Sequence, residues 1–132
     1  MKKKIYIGCS LTQAPEEFKE AIESLKDNLR ADYEILDFIG LVNGTPQDVF
    51  VWDLKCVRTC DLFVADCTHP AIGLGMEIGI ALENNKPILI VAEENAKVTR
   101  IVLGINHPKT SLKTYKDHTE VIEFIKEKMK QV

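Results

Sequence analysis

The chain has 132 residues, with 17 basic and 20 acidic side chains and a formal net charge of −3, a length that suits one domain with one core. This charge gives no general attraction to nucleic acid or to anionic membranes, so neither is expected as a partner. No apolar run approaches the roughly 20 residues of a membrane span, and no signal-peptide core follows the first lysines, so we expect a cytoplasmic protein.

Apolar strands and amphipathic helices alternate along the whole chain. Strands are predicted over residues 4–8, 33–38, 61–65, 88–92 and 111–115. Helices are predicted over residues 14–30, 46–59, 73–84, 98–103 and 118–130, with a loop over 40–45. Because parallel strands need crossover connections, this alternation predicts an α/β three-layer sandwich spanning 1–132 as a single domain. Five strands favour a flavodoxin-like, doubly wound parallel sheet in the order 2-1-3-4-5.

That strand order places the loops after the first and third strands, residues 8–13 and 67–75, across one crevice at the carboxyl edge of the sheet. Glu77 lies in the first turn of the helix that follows the third strand. One interpretation is a glutamate favoured there by the helix dipole, and the other is a nucleophile or general base. Gly73 and Gly75 permit close approach of the backbone to a ligand or to another element.

Three segments of the chain resemble the nucleoside 2-deoxyribosyltransferase family, which includes the 2'-deoxynucleoside 5'-monophosphate N-hydrolases. IGLGMEIGIALENNKPILIV resembles the family signature, IYIGCS its first strand and loop, and VWDLKCVRTCDLFVADCT the helix and strand before the signature. The order Tyr6, Asp53, Glu77 and the spacing from Asp53 to Glu77 match the family. The resemblance implies cleavage of the N-glycosidic bond of a nucleoside or its 5'-monophosphate. Glu77 would be the nucleophile, with Asp53 in the active site and Tyr6 orienting the Glu77 carboxylate.

Without the resemblance, the same residues have ordinary structural interpretations: Tyr6 as a core residue and Asp53 as a solvated helix residue. The loop after the first strand offers N–H groups and hydroxyls that suit phosphate or a ribose hydroxyl, or it is an ordinary turn. Thr99 aligns with a family serine that reaches the 5'-phosphate from a neighbouring subunit, or it is a helix N-cap. The predicted substrate-binding residues are Gly8, Cys9, Ser10, Leu11, Thr12, His69, Ala71, Gly73, Gly75 and Thr99.

Two positions depart from the family pattern. Ala71 stands where the transferases have an aspartate that contacts the base and the N-hydrolases a serine that binds phosphate. Thr12 stands where the N-hydrolases have an arginine. Hydrolase and transferase therefore both stay open, and a non-catalytic nucleotide-binding module on the same fold is an alternative. An FMN-binding protein of this fold is another, which a yellow colour would reveal.

The enzyme function that the resemblance implies needs no cofactor or metal, so neither is expected. The four cysteines match no standard zinc spacing and are expected to be reduced, structural thiols. The expected partner is a small-molecule nucleoside or nucleotide. The family resemblance further implies a homo-oligomer, a dimer or higher, in which neighbouring subunits complete the sites.

Overall fold

The computed structural model describes residues 1–37 and 44–132. All five strands are parallel, and their order is β2-β1-β3-β4-β5, which confirms the predicted α/β class and strand order. The elements are β1 (Lys4–Gly8), α1 (Glu16–Leu29), β2 (Glu34–Leu36), α2 (Pro46–Thr59), β3 (Leu62–Asp66), α3 (Ile72–Glu83), β4 (Ile88–Glu93), α4 (Arg100–Leu103), β5 (Thr110–Tyr115) and α5 (His118–Met129).

The strand ends differ from the prediction, because hydrogen-bonded pairing sets them and the extent of the apolar run does not. β2 pairs with β1 only from Glu34 to Leu36, so it is shorter than predicted. β3 runs one residue further, to Asp66, which pairs with Val91, and β4 runs to Glu93. The end predicted for the second strand, residue 38, and most of the loop predicted over 40–45 lie outside the described residues.

The core has two halves, one on each face of the sheet. α1 and α5 cover one face, which buries Ile5 and Ile7 of β1. α2 and α3 cover the other, which buries Tyr6 and Phe63. Side chains alternate between the faces along each strand, so Tyr6 points toward the helices that carry Asp53 and Glu77. None of the helices within the described residues is long and apolar enough to cross a membrane.

A capping box fixes the start of α2. Thr45 Oγ1 accepts a hydrogen bond from the backbone N–H of Asp48 at 3.1 Å, and Asp48 Oδ2 accepts one from the N–H of Thr45 at 3.0 Å. Pro46 occupies the first turn, where its missing N–H leaves no bond unmade. The capping box therefore sets where α2 begins and how it carries Asp53 toward the sheet edge.

Candidate active site

A cavity of about 580 Å³ lies at the carboxyl edge of the sheet, between α2, the start of α3 and the loop after β1. Its walls are mainly apolar, and its two carboxyl groups belong to Asp53 and Glu77. The sequence motifs predicted these two residues, whereas the apolar walls were not foreseen. The only signal in the sequence was a modest apolar surface on the helix over residues 49–57. The walls include Val49, Phe50, Leu54, Ile72 and Met76.

Tyr6 and Glu77 form the central contact of the site. The Tyr6 hydroxyl donates a hydrogen bond to Glu77 Oε2 at 2.6 Å. Tyr6 is 1% exposed, and its ring stacks on Phe63 with 5.6 Å between ring centroids. Burial, followed by the charges of Glu77 and Asp53, raises the pKa of Tyr6 well above its usual range, so the phenol stays protonated and acts as a donor. Tyr6 is thus both a core residue and a partner of Glu77.

Glu77 does not lie in the first turn of its helix, as predicted: α3 begins at Ile72, and its first turn holds no acidic residue. The Glu77 carboxyl group titrates near neutrality. Burial is the main cause that raises its pKa to about 7, the charge of Asp53 raises it further, and the Tyr6 hydrogen bond lowers it. Asp53 therefore lies close enough to Glu77 for their charges to interact. A carboxyl group with a pKa in this range can act as a nucleophile, a base or an acid at physiological pH.

Gly8 leaves room for the Glu77 side chain at the end of β1. A Cβ at this position would lie 3.0 Å from Leu74 Cδ1, 3.2 Å from Phe63 Cε1 and 3.3 Å from Glu77 Oε1. Gly8 is not part of the cavity wall, but it sets how closely β1 approaches the carboxylate. Gly73 and Gly75 differ, because apart from their chain neighbours and the backbone of α3 itself, no atom of the described residues would lie within 4 Å of their added Cβ. Of the two alternatives expected for these glycines, close approach to another element is not found among the described residues, and the open space leaves the approach of a ligand as a prediction.

Of the other predicted binding residues, three belong to the loop after β1 and line the same cavity as Glu77: Cys9, Leu11 and Thr12. Gly73 lines it from the first turn of α3. Ser10 of the same loop lies elsewhere. It is buried, and its Oγ accepts a hydrogen bond from the backbone N–H of Gln13 at 3.1 Å, as in an ordinary serine turn.

The remaining predicted residues lie at a second cavity of about 470 Å³, between α3 and α4. It is lined by His69, Gly75 and Thr99, whereas Ala71 belongs to the walls of both cavities. Thr99 occupies the N-cap position of α4, but its side chain makes no capping hydrogen bond. The structure thus separates the candidates into two adjoining cavities that share the segment around Ala71.

The cysteines are free thiols, and burial is the main cause that raises the pKa of each to about 11 or 12. At neutral pH they are therefore protonated, which makes them poor nucleophiles and poor metal ligands. In residues 1–37 and 44–132, no three His, Cys, Asp or Glu side chains are grouped so as to hold a metal ion.

Comparison with known proteins agrees with the sequence motifs. No family model matches the chain. A protein of Thermofilum pendens with the provisional name 2'-deoxynucleoside 5'-phosphate N-hydrolase 1 is 33% identical over 66% of this chain and 63% of its own length. Over the matched part, the chain is similar in sequence to this relative. The match confirms the family resemblance that the motifs indicate, and the matched part spans less than two thirds of the relative.

Solved structures extend the comparison to the fold. The CMP N-glycosidase BcmB of Clostridium botulinum superposes with a TM-score of 0.73 at 20% identity, covering 94% of this chain and 99% of that one. A 2-deoxyribosyltransferase of Leishmania mexicana gives a TM-score of 0.70 at 14% identity, covering 95% and 97%. At these identities the superpositions show a shared fold.

Proposed function

We propose that this protein cleaves the N-glycosidic bond of a nucleoside, a deoxynucleoside or a 5'-monophosphate, with Glu77 as the nucleophile. The observation that carries the proposal is the 2.6 Å hydrogen bond from Tyr6 to Glu77 in a cavity that also holds Asp53. The N-hydrolase homologue and the fold shared with an N-glycosidase and a deoxyribosyltransferase support it.

In the first step, a Glu77 carboxylate oxygen attacks the anomeric carbon as the bond from that carbon to the base nitrogen breaks. The electron pair of the broken bond leaves with the base, which takes up a proton. The transition state carries positive charge on the sugar, which the carboxylate stabilises before the ester bond forms. Asp53 lines the same cavity and is the group we assign to orient the base or to supply its proton.

In the second step, an acceptor attacks the anomeric carbon of the glycosyl ester as the bond from that carbon to the Glu77 oxygen breaks. This releases the Glu77 carboxylate, and the proton that the acceptor loses passes to the group that protonated the leaving base. With water the products are free sugar or sugar phosphate, and with a second base the product is a new nucleoside. Tyr6 acts in both steps because its hydrogen bond fixes the Glu77 carboxylate and favours the ionised form.

The proposal is tested by chromatographic measurement of free base from a panel of nucleosides, deoxynucleosides and their monophosphates, each with and without a second base. We expect base release by the wild type, and a loss of at least about a thousandfold in Glu77→Gln. Glu83→Gln, an exposed position on the same helix, is the matched control and should remain active. Full activity of Glu77→Gln would overturn the assignment of the nucleophile.

The second candidate function is a nucleotide-binding module without turnover, and Ala71 favours it. Ala71 lines both cavities, at a position where the family that the motifs resemble has a polar residue that contacts the substrate. Nucleotide binding measured by calorimetry, together with no base release over a long incubation, would support this module over the enzyme.

We propose further that the protein forms a homo-oligomer through the surface around the two cavities. Phe50 on α2, Ile72 on α3 and Ile101 on α4 are large, exposed apolar side chains, and a second copy would remove them from water. Light scattering should give at least twice the 14.9 kDa mass of the chain, and Ile101→Asp should lower it. A monomer at assay concentrations would contradict the proposal.

A cytoplasmic location completes the proposal. All four cysteines are free in the structure, which fits a compartment that keeps thiols reduced. Fluorescence microscopy of a tagged chain in its own cells tests the location.

A further inference from the structure

A second polar cluster lies at the carboxyl edge of the sheet, on the face that α1 and α5 cover. Its centre is Asp66, the last residue of β3, which is 1% exposed. One carboxylate oxygen accepts a hydrogen bond from the Tyr115 hydroxyl at 2.6 Å. The other accepts from the Thr68 hydroxyl at 2.6 Å and from the Thr68 backbone N–H at 3.0 Å. A buried carboxylate is stable only with such partners, so the cluster has a defined geometry.

Thr68 connects this cluster to the neighbouring strand. Its Oγ1 accepts a hydrogen bond from the backbone N–H of Glu93, the last residue of β4, at 3.0 Å. The N–H of Cys67, just before it, donates to the carbonyl of Val91 at 2.8 Å. The first residues of the β3–α3 loop are therefore attached both to Asp66 and to the end of β4.

Aromatic side chains from α1, β5 and α5 pack around the cluster. The Tyr115 hydroxyl lies 3.1 Å from His118 Nε2, which lies 3.6 Å from Asp66 Oδ2. The rings of His118 and His69 both contact Phe18 edge-on, with centroid distances of 5.6 and 4.8 Å. Burial and the charge of Asp66 raise the pKa of Tyr115 above its usual range, so its hydroxyl remains a donor. Loop residue His69 thus packs on Phe18, which also contacts His118 beside Asp66.

The residues that follow directly, Pro70 and Ala71, lie in the walls of both cavities. We propose that Asp66 and Thr68 are positioning residues that hold this shared wall in place and thereby set the affinity for the nucleoside or nucleotide substrate. The inference rests on the proposed function for the identity of the ligand. Neither residue is assigned to contact the reacting atoms.

The proposal separates binding from chemistry. Tyr6 reaches Glu77 from β1, on the face of the sheet opposite to Asp66. Loosening the wall should therefore leave the Tyr6–Glu77 contact in place, so that KM rises and kcat changes little. A purely structural role would lower the melting temperature and leave KM unchanged.

Thr68→Val tests the proposal, because valine has nearly the shape of threonine but lacks the hydroxyl that donates to Asp66 and accepts from Glu93. We expect a rise in KM of about tenfold with kcat within about twofold of wild type. Thr68→Ser, which keeps the hydroxyl, should restore KM. Thr114→Val is the matched control, since Thr114 is exposed on β5, and should behave as wild type. An unchanged KM in Thr68→Val would overturn the proposal.

A second readout does not depend on turnover. Hydrogen exchange at the Glu93 amide should become faster in Thr68→Val but not in Thr68→Ser, because its acceptor is the Thr68 hydroxyl. Unchanged exchange in Thr68→Val would show that this hydroxyl does not hold the loop, and would overturn the proposal. If the wild type releases no base, the proposed function fails, and the positioning role of Asp66 and Thr68 is then judged from this exchange and from nucleoside affinity measured by calorimetry.

Tyr115→Phe is the second variant, in case Thr68→Val does not fold. It removes one of the three donors to Asp66 and keeps the ring in the core. We expect a smaller rise in KM, of about threefold, with the near-UV circular dichroism of the wild type. A folded Tyr115→Phe protein with wild-type KM would also contradict the proposal.

Discussion

At the scale of single residues, the Tyr6 hydroxyl has two effects on Glu77. It fixes one carboxylate oxygen at 2.6 Å, and it opposes the rise in the Glu77 pKa that burial and Asp53 cause. Both effects favour an ionised, oriented carboxylate near neutral pH.

The Tyr6→Phe variant should therefore need a higher pH for activity. Without the hydrogen bond the Glu77 pKa rises, so the acid limb of the pH profile of kcat/KM should move upward from about 7. Activity at pH 7 should fall about 10- to 100-fold. Tyr33→Phe, on a half-buried tyrosine that belongs to the other half of the core, is the control. A Tyr6→Phe profile with an unshifted acid limb would mean that this bond does not control Glu77.

Gly8→Ala should impair activity by crowding Glu77. The added Cβ would lie 3.3 Å from Glu77 Oε1 and 3.0 Å from Leu74 Cδ1, so one of these side chains has to move. We expect kcat to fall about tenfold or more, since small displacements of reacting groups are costly. Gly79→Ala on α3 is the control, since apart from its chain neighbours and the backbone of α3, no atom of the described residues lies within 4 Å of its added Cβ. Equal kcat values for the two variants would show that the space beside Gly8 is not needed.

The sequence could identify these residues but not their burial or their pKa values. Tyr6, Asp53 and Glu77 were recognisable from motif order and spacing, and the family resemblance implied that Tyr6 orients Glu77. The raised Glu77 pKa was not predictable, because it depends on burial that only the folded structure shows. The turn that buries Ser10 was equally hidden, because a serine before a helix has the same pattern whether its hydroxyl faces a ligand or its own backbone.

At the scale of elements, α2 matters because it carries Asp53 into the cavity. Thr45→Ala should destabilise the protein by about 1 kcal/mol, because it removes the capping hydrogen bond to the N–H of Asp48. Thr45→Ser should retain most of the stability. Urea denaturation measures both; an unchanged midpoint in Thr45→Ala would show that the capping box is not stabilising in solution.

The cluster around Asp66 was not predicted from the sequence, because it lies at the end of a strand. The apolar run of the third strand stops at Ala65, so the sequence predicted a strand end there, yet pairing with β4 continues through Asp66. Apolar patterns locate the buried middle of a strand. Its polar last residue is fixed by hydrogen bonds to residues far away in the chain, here Tyr115, which no local pattern reveals.

At the scale of the whole molecule, the Glu77 pKa links activity to stability. The folded protein holds the Glu77 proton more tightly than the unfolded chain, since the pKa is about 7 against a usual 4.5. The corresponding stabilisation is complete below about pH 4.5 and is lost as the pH rises through about 7. Ionisation of Glu77, which the proposed reaction requires, therefore lowers the free energy of unfolding.

Glu77→Gln should remove this pH-dependent loss. Relative to wild type, its free energy of unfolding should rise between pH 4.5 and pH 8 by up to about 3 kcal/mol. Urea denaturation across that range measures the difference, with Glu83→Gln as the control. A constant difference between Glu77→Gln and wild type would show that the Glu77 pKa is not raised in the folded protein.

The strand order was predictable because alternating strands and helices permit few arrangements once crossovers are right-handed. The cavity volumes and the division of the candidate residues between two cavities were not, because they follow from how helices pack on the finished sheet.

The most direct test of the central claim is a search for the glycosyl ester on Glu77. The protein would be incubated with a 2'-fluoro-2'-deoxynucleoside, whose fluorine disfavours positive charge on the sugar and slows hydrolysis of the ester, and then analysed by intact and peptide mass spectrometry. We predict one added fluorosugar per chain, located on the peptide that contains Glu77 and absent from Glu77→Gln. Base release from the natural substrate by an enzyme that carries the label elsewhere, or that remains active as Glu77→Gln, would contradict the account.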